Sequence, residues 1–138
     1  MKNYVLDANA LLRYVRGIDG AEKVRAILQQ CERGLALISM SVVNLGEAYY
    51  ILMRYLGEPV AAKTVSTLRQ VVSFIPAGMD ETIAAARIKE KFKMGYADSF
   101  AAALALRMNA TLVSADPVFE KLGKSIKLLK LPRHNIRN

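Results

Sequence analysis

Carboxylates carry most of the chemistry this chain can offer. Asp7 follows the apolar run Tyr4-Val5-Leu6, and Asp116 follows Thr111-Leu112-Val113 in much the same way. If both runs are parallel strands, both acids lie at one edge of the sheet, where the ligands of open α/β folds gather. Asp98 opens a helical segment and shares a face with Ala101, Ala102 and Ala105. Glu47 falls mid-helix beside an apolar stripe of Val42, Val43, Tyr49, Tyr50, Met53 and Leu56. A carboxylate there is costly unless it is paired or bound to a cation.

Each acid also has an ordinary explanation. Asp7, or Asn9 beside it, suits a helix cap, and Asp116-Pro117 is a common helix start. Asp98 in a first turn favours the helix dipole, and Glu47 is long enough to reach solvent. Convergence separates the explanations. Four acids on one edge repel each other unless a hard divalent cation neutralises them. Mg²⁺ and Mn²⁺ prefer oxygen ligands. Such an ion can activate water and stabilise charge on a phosphoryl oxygen. That is a route to phosphodiester hydrolysis without histidine.

The remaining inventory removes competing mechanisms. The single histidine, His134, lies in a basic tail, a poor place for the base of a Ser-His-Asp triad, and reads as solvated. Cys31 is the lone cysteine, so no intrachain disulfide is possible, which fits a reducing compartment. It reads as a small buried apolar residue. One Cys and one His, far apart, do not make a zinc site. No Gly-x-x-x-x-Gly-Lys phosphate loop is present.

The elements that must position the acids follow from periodicity. A strand at Tyr4–Leu6 feeds a helix through Leu11, Leu12, Tyr14 and Val15. Ala21, Val24, Ile27, Leu28 and Cys31 recur at helical spacing, and Gly34 ends that helix. Leu35-Ala36-Leu37-Ile38 reads as a second buried strand. Ser41 caps a helix to about Leu56, stopped by Gly57 and Pro59. A further helix is predicted over Val60–Gln70, and a strand over Val71–Ile75. Asp80 is predicted to cap a helix to about Phe92. The alanine-rich segment Ala97–Met108 forms a narrow helix. Thr111–Val113 is a short strand, Asp116-Pro117 starts a brief helix, and Ile126, Leu128, Leu129 and Leu131 suggest a last edge strand. Strand–helix alternation predicts a largely parallel sheet of four to five strands with helices on both faces.

Composition sets the frame around these elements. The 138 residues are 53% hydrophobic, enough for one globular domain. Twenty basic against 12 acidic side chains give a net charge of +8, which favours a polyanionic partner such as nucleic acid. Lys89, Lys91 and Lys93 precede Asp98, and Lys121, Lys124, Lys127, Lys130, Arg133 and Arg137 crowd the C-terminus. They can hold a phosphate backbone near an acidic centre, although a lysine run is usually a solvated face. No secretory signal is expected, because Asp7 interrupts the first apolar run. Leu35–Met53 approaches the length of a spanning helix with Glu47 as its only charge. Ser39, Ser41, Asn44 and Gly46 divide it, so a membrane span is rejected. Apolar surplus on Ala21–Cys31 and Ser41–Leu56 predicts surfaces that another chain covers.

Four stretches together resemble the PIN-domain ribonucleases, and more narrowly the VapC-type toxins of toxin–antitoxin pairs. They are Val5-Leu6-Asp7-Ala8-Asn9, Glu47 within Asn44-Leu45-Gly46-Glu47-Ala48, the run from Tyr96 through Asp98 to Ala105, and Leu112-Val113-Ser114-Ala115-Asp116. The resemblance spans essentially the whole chain. It implies a three-layer α/β/α PIN-like fold around a twisted, mainly parallel sheet, with residues 1–138 as a single nuclease domain. It implies a Mg²⁺- or Mn²⁺-dependent endoribonuclease in which Asp7, Glu47, Asp98 and Asp116 form the catalytic, metal-binding site. Asn9 and Ser114 would orient those acids or the ion's waters. Ser114-Ala115-Asp116 departs from the Thr-Gly-Asp often found there, but serine keeps the hydroxyl. The resemblance further implies an RNA substrate, a cognate antitoxin, homodimers and a cytoplasmic location. Two alternatives stand beside it. One is a nucleic-acid-binding module without catalysis. The other is an aspartyl-nucleophile phosphatase, which would usually want an aspartate where this chain has Asn9.

Overall fold

Five parallel strands make one sheet in the order β3-β2-β1-β4-β5, with helices on both faces, the three-layer α/β/α arrangement expected. The computed structural model describes residues 1–133, so His134 and Arg137 lie outside the described residues. Along the chain the elements are β1 (Lys2–Leu6), α1 (Ala8–Arg16), α2 (Ala21–Glu32), β2 (Ala36–Ser41), α3 (Val42–Leu56) and α4 (Glu58–Leu68). There follow β3 (Val72–Ile75), α5 (Met79–Phe92), α6 (Tyr96–Arg107), β4 (Thr111–Ser114), a 3-10 segment (Pro117–Ser125) and β5 (Lys127–Lys130).

Side chains alternate across each strand, and this splits the core in two. Tyr4 and Leu6 of β1 join Ile38, Met40 and Val113 in the layer covered by α1 and α2. Val5 and Leu112 join Ala101, Ala102, Ala105 and Phe119 in the opposite layer. The alanines let α6 lie close to the sheet, as their spacing predicts. Glu81 of α5 pairs with Arg107 of α6 along the outside of that layer.

Several local expectations change. The strand expected at Leu35–Ile38 begins at Ala36 and runs on to Ser41, and Leu35 and Leu37 are 58% and 53% exposed. Their sheet face is uncovered at that end. Pro59 does not simply stop a helix: it sits in the first turn of α4, where a missing N–H costs nothing. Asp80 is not a cap. Gly78 occupies that position, and its N–H donates to the Glu81 carboxylate at 3.1 Å. Cys31 is half-buried, and its thiol donates to the Val71 carbonyl. The stripe assigned to α3 is also wrong. Its buried side is Asn44, Ala48 and Leu52, while Val42, Tyr50, Met53 and Leu56 are exposed. Among the described residues no helix is long and apolar enough to cross a membrane.

Candidate active site

Strands β1 and β4 are neighbours, but the chain leaves them toward opposite faces: α1 packs in one layer and the 3-10 segment in the other. That divergence makes the carboxyl edge between them a topological switch point, where open α/β sheets bind their ligands. In register, Leu6 stands opposite Val113, so Asp7 and Ser114 emerge side by side.

Asp7 is 3% exposed. It caps α1, accepting the Ala10 N–H at 2.8 Å on Oδ1, while its Oδ2 accepts the Ser114 hydroxyl at 2.5 Å. The Ser114 oxygen in turn accepts the Asp116 N–H at 3.0 Å. Asp116 caps the 3-10 segment by accepting the Val118 N–H at 2.9 Å. Both cap assignments hold, and both acids stay at the carboxyl edge of the sheet, one after β1 and one after β4. Asn9 joins the two sides: its Oδ1 accepts the Ala115 N–H at 3.1 Å and the Arg13 Nε–H at 3.2 Å. Arg13 is anchored by the carbonyls of Asp19 and Pro132.

Asp98 comes from the first turn of α6, and its carboxylate folds back over the helix start. A Cβ placed on Gly95 would stand 3.2 Å from Asp98 Oδ2, so a larger residue there would press on the acid. Glu47 projects from α3 with its side chain largely exposed. One turn earlier on α3, Asn44 is 1% exposed and its Nδ2–H donates to the Ala97 carbonyl at 2.9 Å.

The acids sense one another. Burial raises Asp7 to about 7, against the hydrogen bonds from Ser114 and Ala10, and the charges of Asp98 and Asp116 add to the rise. Asp98 is raised to about 6, by burial first and then by Asp116 and Glu47. Partial desolvation raises Glu47 as well. Among the described residues no lysine or arginine forms an ion pair with any of the four. Part of the basic surplus is structural instead. Lys89 donates to the Met94 carbonyl and Lys121 to the Lys93 carbonyl, bracing the turn that leads into α6.

The donor set suits a hard divalent ion: oxygen ligands, negative charge in excess and, among the described residues, no lysine or arginine paired with them. Among the described residues no three carboxylates stand close enough to form a ready-made cage. Mg²⁺ tolerates this, because it commonly keeps several waters and takes only one or two carboxylates directly.

Three residues in this arrangement escape the sequence reading. Arg13 has the i, i+4 spacing from Asn9 as its only signal. Gly95 gives a helix-start signal and nothing more. Asn44 has a clearer mark, since it shares a helix face with Ala48 and Leu52 and is polar.

A family model for the PIN domain matches residues 4–125. No curated protein matches the chain. Among solved structures, VapBC2 from Rickettsia felis, bound to a promoter DNA fragment, superposes with a TM-score of 0.73 at 16% identity, covering 94% of this chain and 99% of that one. VapBC-1 from nontypeable Haemophilus influenzae gives 0.70 at 17%, covering 93% and 97%. The sarcin-ricin loop cleaving toxin VapC20 of Mycobacterium tuberculosis gives 0.70 at 15%, covering 87% and 95%. At such identities the likeness is one of fold.

Proposed function

This chain belongs to the PIN domain family, and on that premise we propose that it is a metal-dependent endoribonuclease, the toxin of a toxin–antitoxin pair. The observation that carries the reading is Asp7: a buried carboxyl raised to about 7 that senses the charges of Asp98 and Asp116, with Glu47 acting on Asp98 and no lysine or arginine paired to the four among the described residues. A bound Mg²⁺ or Mn²⁺ would neutralise this cluster, activate water and offset charge on a phosphoryl oxygen. Asp7, Asp98 and Asp116 would hold the ion, and Glu47 would ligate it or position water from the open side. Ser114 fixes the Asp7 carboxylate through Oδ2, and Asn9 fixes the start of α1 against Ala115. The +8 charge draws the polyanionic RNA.

The fold likeness to VapBC proteins supports an antitoxin as partner. The exposed apolar side chains Tyr50, Met53, Tyr55 and Leu56 of α3 support surfaces for that antitoxin and for a second copy of the chain. The whole of residues 1–138 then acts as one nuclease domain in the cytoplasm. The phosphatase alternative has less support, because Asn9 stands where its second aspartate would be, with Oδ1 engaged by Ala115 and Arg13.

The test is cleavage of defined RNAs by the purified chain. Cleavage is expected with Mn²⁺, and none with EDTA or after Asp98→Asn, with the variant still folded. A folded protein that binds RNA but cleaves none in Mn²⁺ is a binding module, and the nuclease reading fails.

A further inference from the structure

Two of the four acids are held by the sheet edge, and two are not. Asp7 and Asp116 are fixed through Ser114 and the backbone around β1 and β4. Glu47 and Asp98 sit on separate helices, α3 and α6, so their separation depends on how those helices meet. At that meeting lies Asn44. Its Nδ2–H donates to the carbonyl of Ala97, immediately before Asp98, and Asn44 itself is one turn before Glu47.

The bond is not needed to satisfy Ala97. That carbonyl lies inside α6, where the helix supplies a partner four residues on, and a carbonyl oxygen has a second lone pair. The amide also brings a liability, because Asn44 Oδ1 is buried and has no hydrogen-bond partner among the described residues. Its neighbours on the buried face of α3 are Ala48 and Leu52. For stability alone an apolar side chain would serve as well, since it leaves no polar group unpaired.

We propose that Asn44 is a positioning residue that ties the first turn of α6 to α3 and so sets Asp98 against Glu47 for a shared divalent ion. The inference rests on the metal-site reading above. Groups that orient ligands from outside the coordination sphere typically change metal affinity by about 10- to 100-fold when mutated. Asn44→Leu removes the tether and the unpaired oxygen together.

Mn²⁺ binding is measured by electron paramagnetic resonance on the full chain without RNA, for wild type, Asp98→Asn, Asn44→Leu and Asn44→Ala. Urea unfolding in EDTA runs alongside. Asn44→Leu is expected to hold its unfolding midpoint close to wild type, to bind Mn²⁺ at least about tenfold more weakly, and to lower kcat with little change in KM for RNA. Asn44→Ala should show the same loss of Mn²⁺ affinity, and it carries the test if the leucine does not fit. Wild-type Mn²⁺ affinity in a folded Asn44 variant makes the amide merely structural and overturns this inference alone. A wild type that binds no Mn²⁺ overturns the metal site and this inference with it.

Discussion

Ionising Asp7 works against the fold, and replacing it by asparagine should remove that opposition. The carboxyl is 3% exposed, and burial raises it from 3.8 to about 7. Between those values the folded chain keeps a proton that the unfolded chain has released. The folded state then binds more protons, so stability falls as pH rises through the window. Below about pH 4 both states are protonated and nothing is lost; above about pH 7 the loss is complete. One pH unit corresponds to about 1.36 kcal/mol, so roughly three units amount to about 4 kcal/mol. Asp98 is raised in the same direction, but it is partly exposed, and solvent screens its contribution. The assay is urea unfolding at 25 °C in EDTA, at a series of pH values from 4.5 to 7.5. Wild type should lose stability steadily across the series. Asp7→Asn, which keeps an oxygen for the Ala10 N–H, should lose about 3 kcal/mol less across this series and be the more stable protein at pH 7.5. Saturating Mg²⁺ at pH 7.5 should then favour wild type, by about 2.7 kcal/mol at a hundred times its dissociation constant, and the variant by less. Parallel pH curves for the two proteins would refute the account of Asp7 as a buried carboxyl that titrates with folding.

RNA affinity should fall steeply with salt, because lysine and arginine contacts release counterions. Filter binding with Asp98→Asn in EDTA reads it directly, and a flat response between low and moderate salt would make the +8 charge incidental. Asp116 caps the 3-10 segment through Val118, so Asp116→Ala should cost about 1 kcal/mol, whereas Asp116→Asn keeps the cap and in EDTA should raise the melting temperature by relieving repulsion. Equal stabilisation of wild type and Asp116→Asn by Mn²⁺ would remove Asp116 from the metal set.

The order of elements is legible in the sequence because this fold places its apolar runs plainly. Val5-Leu6, Leu112-Val113 and Val72 with Phe74 and Ile75 are short and β-rich, and each helix between them shows its own period. Strand order is not legible in that way. Nothing local states that β4 returns to lie beside β1, since that follows from how the helices divide between the two faces. The failure on α3 has a physical cause. Its largest apolar residues suggest a stripe, yet the helix turns Tyr50, Met53 and Leu56 outward and buries Asn44, Ala48 and Leu52. What α3 packs against sets its buried face, Ala48 joining the layer of α1 and Asn44 bonding to α6, so hydrophobicity alone points to the wrong face. Leu35 misleads because the strand starts only at Ala36, and Leu37 because an apolar residue on a strand is buried only if a helix covers that end of the sheet.

At the acids, sequence reasoning offers two explanations for each residue, a cap or a site, as if one excluded the other. The geometry joins them. Asp7 can cap α1 and stand at the sheet edge because the strand that ends there is also where a helix begins. The Ala10 N–H of that first turn holds the carboxylate in place. Asp116 repeats the arrangement after β4, and Ser114 couples the two by donating to one acid and accepting from the backbone of the other. Capping therefore gives Asp7 and Asp116 rigidity without relying on a cation. Glu47 and Asp98 lack a side-chain cap bond of this kind. For them, orientation comes from the contact between α3 and α6, which is why a buried amide at Asn44, rather than a fifth acid, is the next residue to change.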